Sequence, residues 1–246
     1  PDSQESDYIY VEDVQVVDNL MHVIAETRVR SDDDYYNYQN VKQIYTIDLN
    51  NETVSSHEEV ISYEQQENLH VNVNLIETNP KQANEQLVFL KTESQLIEDQ
   101  ESSRVEDSNK ELISYNLKTK EKTGIDLGEY LKENQVSFYD GSTIYLTKED
   151  NQNLVVTPYN LDNKQVADPI TVEHSDETDN VEMPMINVFD GKLYAANRLI
   201  NSKSNTGVVV VDLNTGETLY KGEITTKEPK ADVDEFELYI HDMSVR

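Results

Sequence analysis

Apolar and polar positions alternate along most of the chain in short runs separated by turn residues, a pattern of antiparallel strands rather than helices. The clearest stretch runs from Ile186 to Thr225. Asp190-Gly191 separates two apolar segments, as a tight hairpin whose central residues need positive φ requires. Val208–Val211 is an unbroken β-branched run, which suits a strand covered on both faces. Asn214-Thr215-Gly216 supplies the next turn, and an alternating outer strand follows from Glu217 to Ile224. The same order recurs upstream. Val16-Val17-Asp18-Asn19 leads into Leu20–Ile24, and Phe138-Tyr139-Asp140-Gly141 leads into Thr143–Leu146. Val71–Ile76, Gln86–Leu90 and Leu112–Leu117 form a more degenerate copy with a longer hairpin around Asn79–Asn84.

Asp/Asn-Leu pairs begin at positions 48, 116, 160 and 212 and mark four units. A four-stranded repeat of about 40–50 residues is the signature of a β-propeller blade. The predicted fold class is therefore all-β and β-propeller-like, with four complete four-stranded blades at about 8–62, 69–127, 135–173 and 181–225. Residues 1–7 read as a polar tether and 8–246 as a single domain. Inserts at 30–42 and 98–110 absorb the uneven spacing, and 127–134 reads as one or two helical turns. Phe236–Arg246 resembles the first strand of a further unit, a partial fifth blade. It would either close a small ring or mark a fragment of a larger propeller.

Residues 192–219, with Lys-Leu-Tyr-Ala-Ala-Asn followed by Ser-Asn-Thr-Gly-Val-Val-Val-Val-Asp-Leu-Asn-Thr-Gly-Glu, resemble one blade of the YVTN-type and quinoprotein-like repeats. The resemblance implies the fold. It carries no cofactor residues, because the Trp of quinoprotein blades is absent, as is the Trp-Asp pair of WD40 blades. No Gly-Gly pair supports a kelch reading.

Charge narrows the partners. With 49 acidic and 20 basic residues, the net charge of −29 repels nucleic-acid backbones and anionic headgroups. The absence of Cys excludes disulfides and thiolate metal sites. No apolar run is long enough to span a membrane. The polar start of the chain, Pro1-Asp-Ser-Gln-Glu-Ser-Asp7, reads as a tether following a removed signal peptide or an upstream anchor. The expected setting is extracellular, on the surface of a Gram-positive bacterium, and membrane-anchored.

Catalytic signatures are missing. The five histidines, at 22, 57, 70, 174 and 241, share no metal-ligand spacing. There is no Gly-x-Ser-x-Gly elbow and no phosphate-binding glycine loop. Carboxylates are too abundant for a pair of them to indicate a glycosidase. Ca²⁺ is the one cofactor worth weighing, and its candidate ligands are Asp32, Asp33 and Asp34 in one loop and Asp176, Glu177 and Asp179 in another. The solvated-loop reading of both clusters is the stronger, so the expected cofactor is none. Tyr35, Tyr36 and Tyr38 lie in a polar insert, and exposed Tyr beside Asn and Asp is a contact composition for protein or glycan, although a loop folded back on its own blade is the stronger reading.

The preferred function is a non-catalytic binding, sensing or scaffold domain that uses propeller loops to hold a protein partner in the cell envelope. The alternatives are a propeller enzyme, a lyase or glycosidase acting on a cell-wall or extracellular glycan, and a structural module of a larger surface protein.

Overall fold

A computed structural model describes residues 8–30, 38–65, 68–78, 84–99, 102–150, 153–173, 185–198 and 206–224. They form four consecutive antiparallel sheets with the strand plan of β-propeller blades. The first sheet is β1 (Tyr8–Val17), β2 (Leu20–Arg30), β3 (Tyr38–Asp48) and β4 (Thr53–Gln65), paired in chain order. The second is β5 (Leu69–Leu75), β6 (Gln86–Asp99), β7 (Ser102–Asn116) and β8 (Lys122–Ile125). A short helix, α1 (Glu129–Glu133), precedes β9 (Gln135–Tyr139), β10 (Thr143–Asp150), β11 (Asn153–Asn160), β12 (Gln165–Val166) and β13 (Ile170–Glu173). In that third sheet β12 and β13 both pair with β11. The fourth is β14 (Met185–Phe189), β15 (Lys192–Arg198), β16 (Thr206–Asp212) and β17 (Thr218–Glu223).

The strands divide into two compact units, β1–β8 and α1 with β9–β17. Each has its own core. In the first, Ile24, Ile44 and Ile61 of one sheet pack with Val71, Leu87 and Phe89 of the next. In the second, Phe138, Leu154 and Val156 pack with Ile186, Leu193 and Val211.

One turn chemistry repeats in all four sheets. The side chains of Asp48, Asn116, Asn160 and Asp212 each accept a backbone N–H two residues on, at 2.8–3.1 Å. The Leu that follows each of them donates its N–H to a carbonyl in a neighbouring segment: Leu49 to Asn19, Leu117 to Glu85, Leu161 to Ser142 and Leu213 to Gly191. Four residues after each landmark the backbone turns left-handed, at Glu52 (φ 53°), Lys120 (65°), Lys164 (56°) and Gly216 (71°). The recurring Asp/Asn-Leu pair is thus an Asx turn closing the third strand of a blade onto its fourth. Asp190 (φ 50°) and Gly191 (69°) adopt the expected tight hairpin, and Asp18 (49°) and Asn19 (64°) do the same in the first sheet.

The two proposed inserts are corrected where their residues are described. Residues 98–99 and 102–110 continue the β6–β7 ribbon, with Glu98 opposite Ser103 and Asp99 opposite Ser102. An antiparallel ribbon satisfies its own backbone groups, so a strand can persist where no apolar alternation announces it. The 30–42 stretch likewise contains the start of β3, where Tyr38 pairs with Arg30 on one side and Gln65 on the other. Phe236–Arg246 and most of the Asn79–Asn84 hairpin lie outside the described residues.

Candidate functional site

The first sheet carries a band of polar residues at one end of one face. Residues directly opposite across strands share a face, so the register can be read as rows. One row is Tyr8, Arg28, Asn40 and Tyr63, and the next is Tyr10, Glu26, Lys42 and Ile61. Further along lie Ile24 and Ile44, both fully buried in the core.

A bulge completes the band. Val11 faces Ala25 and Asp13 faces Ile24, which leaves Glu12 as an extra residue on β1. Bulges re-aim side chains, and this one brings the Glu12 carboxylate onto Lys42. The Lys42 ammonium therefore bonds Glu12 Oε1 and, at 2.6 Å, Glu26 Oε2. Lys42 is only 1% exposed, so it is a cation held inside the protein by two carboxylates. Tyr63 donates its hydroxyl to the same Glu26 oxygen at 2.9 Å. Arg28 lies over the Tyr38 ring, 4.2 Å from its centroid, and its Nε donates to Asn40 Oδ1 at 3.3 Å.

The electrostatics follow from this packing. Burial pushes the Glu12 carboxyl above its usual range, against the opposing pull of Lys42, and the charges of Glu26 and Asp13 push the same way as burial. Burial also raises the Tyr63 phenol, and the Glu26 charge and hydrogen bond add to the effect. Its proton is held in place. Glu12 Oε2 is buried without a hydrogen-bond partner.

These residues line a cleft of about 330 Å³ whose far wall is β5, with His70, Asn72 and Asn74 alternating along it. Gln65 fastens that wall, because its side-chain amide donates to the Val71 carbonyl and accepts the Val71 N–H at 3.1 Å. Tyr8 and Tyr10 form the opposite rim. Each is 54% exposed, and their rings are parallel to within 4° with centroids 6.5 Å apart.

Of the residues singled out in the sequence, Tyr38 lies in this cleft as a half-buried side chain beneath Arg28. Tyr35, Tyr36, Asp32, Asp33, Asp34, Asp176, Glu177 and Asp179 lie outside the described residues. Among the described residues no three His, Asp or Glu side chains are grouped to hold a metal ion, and no helix is long and apolar enough to cross a membrane. Sequence reasoning missed Glu12, Glu26, Lys42 and Tyr63. The available signal was a Lys within a strand, next to Val41 and two positions before Ile44, where a charged side chain needs a buried counter-charge.

No family model and no curated protein matches the chain. Among solved structures, the fold is similar to that of the polysaccharide lyase Uly1, at a TM-score of 0.52 and 12% identity over 83% of this chain and 46% of that one. TolB from Acinetobacter baumannii aligns at a TM-score of 0.34 and 14% identity, over 80% of this chain and 48% of TolB. The chain thus spans about half the length of these proteins.

Proposed function

We propose that this chain is a non-catalytic binding domain whose ligand sits in the tyrosine-rimmed cleft of the first unit. The observation that carries this reading is the pairing of every formally charged side chain in the cleft. Lys42 is held by Glu12 and Glu26, Glu26 also by Tyr63, and Arg28 by Asn40 and the Tyr38 ring. Groups so engaged hold one another in place. Meanwhile Tyr8 and Tyr10 remain exposed, and large amphipathic rings at a cleft mouth are typical contact residues. The setting proposed with it is extracytoplasmic, with a partner displayed in the cell envelope.

A second reading, glycan cleavage, is favoured by the shared fold with a polysaccharide lyase. Elimination needs a base to take a carbon-bound proton, and a tyrosine base needs a lowered pKa. Tyr63 is shifted the other way. Glycoside hydrolysis by two carboxylates needs the scissile bond between them, and between Glu12 and Glu26 sits the Lys42 ammonium.

The test is to probe peptide and glycan arrays with the purified chain and a Tyr8→Ala/Tyr10→Ala variant, while assaying polysaccharides for unsaturated ends by ultraviolet absorbance. Retention that the double variant loses, with no product formed, is the expected result. Product formation that disappears in Tyr63→Phe would replace binding by elimination.

A further inference from the structure

The chemistry of the cleft narrows its ligand, on the reading that this cleft is the binding site. Its formal charges cancel, Glu12 and Glu26 against Arg28 and Lys42, in a chain whose net charge is −29. The local site therefore offers no net charge to an ion, and the surrounding field repels polyanions. A basic peptide finds little to pair with either, since Lys42 and Arg28 together balance the two carboxylates.

The remaining interactions are of two kinds. The far wall carries Asn72 and Asn74, exposed and two residues apart on β5, with donor and acceptor groups at each amide. The rim carries the parallel rings of Tyr8 and Tyr10. Aromatic faces are electron-rich and attract the partly positive C–H groups of a flat, weakly polar surface. A sugar ring has both properties, C–H groups on its faces and hydroxyls around its edge.

We propose that the cleft binds an uncharged glycan chain. Tyr8 and Tyr10 stack on sugar faces, while Asn72 and Asn74 bond the hydroxyls. The volume, at the lower end for ligand pockets, admits a short segment of such a chain.

Native affinity electrophoresis of the full chain tests this, in gels containing β-glucan, mannan, galactan or xylan, and in a polygalacturonate gel as the acidic counterpart. Retardation is expected in at least one neutral gel and not in polygalacturonate. Tyr10→Ala should weaken it roughly tenfold, the size of one lost aromatic contact. Both rim tyrosines are largely solvent-exposed, so Tyr8→Ala and Tyr10→Ala should keep the wild-type circular dichroism. Retardation by polygalacturonate alone, or retardation that neither variant alters, would overturn the proposal. Tyr10-dependent binding of a lysine-rich peptide, with no neutral glycan retained, would overturn the glycan assignment and leave the cleft as the binding site. Absence of any Tyr10-dependent binding to these probes would remove both.

Discussion

Lys42 is the residue on which the cleft depends. Removing one member of a buried ion cluster leaves the others charged and unpaired, at a cost of about 3–5 kcal/mol. Lys42→Met should therefore lower the unfolding free energy by that amount in urea titrations. Adding Glu12→Gln and Glu26→Gln should restore most of it, because the stranded charges are gone. A loss below about 1 kcal/mol for the single variant would mean that the ammonium is effectively solvated. His22 gives a second residue-level outcome. It is buried and bonded to Thr46 Oγ1 at 3.1 Å, and burial pushes its pKa below the ordinary value of 6.5, with Lys120 adding repulsion. A depressed value in the folded state means that stability is complete above the unfolded pKa and falls as pH drops through the folded one. His22→Gln should flatten the thermal midpoint against pH below 6.5. Glu12, shifted upward, runs the other way: its contribution is present in acid and is lost as pH rises through its folded pKa. The slope removed by His22→Gln is thus assignable to the histidine. An unchanged slope would show that His22 titrates as it does in the unfolded chain.

At the scale of the element, the blade turns explain why the sequence was legible where it was. The left-handed position after each Asx landmark is filled by Gly only in the fourth blade and by Glu52, Lys120 and Lys164 in the others. A side chain there costs about 1 kcal/mol relative to Gly. Lys164→Gly should raise stability by about 0.5–1 kcal/mol, and Gly216→Ala should lower it by a similar amount although its Cβ would meet open space. Chemical denaturation of both variants checks this, and equal stabilities would mean that the strain is absorbed elsewhere. The landmarks were visible because an Asx turn is local chemistry: Asp212, Asn160 and their counterparts bond the backbone two residues on. The cleft was hidden because its chemistry is not local. Glu12 meets Lys42 across 30 positions, and a one-residue bulge decides that it does. Tyr38 could be noticed from its composition, but that it sits beneath Arg28 depends on β2–β3 register.

On the scale of the whole molecule, charge sets the terms. With 49 acidic against 20 basic residues, the folded chain concentrates like charges that the unfolded chain keeps apart. Raising NaCl from about 0.01 M to about 1 M contracts the screening length from about 30 Å to about 3 Å. Relief of about 1–2 kcal/mol of self-repulsion should raise the thermal midpoint, by roughly 2–4 °C per kcal/mol at this chain length. Screening depends on ionic strength and not on the identity of the cation, so KCl should match NaCl, and CaCl₂ at equal ionic strength should exceed them only slightly. A midpoint unmoved by NaCl would mean that the acidic side chains are far enough apart to be screened by water alone. A midpoint that CaCl₂ raises far beyond NaCl would mean that oxygen ligands hold the ion specifically. Asp32–Asp34 and Asp176, Glu177 and Asp179 would then be the first positions to replace by Asn or Gln, because hard divalent cations need several carboxylates converging on one point and diffuse screening does not.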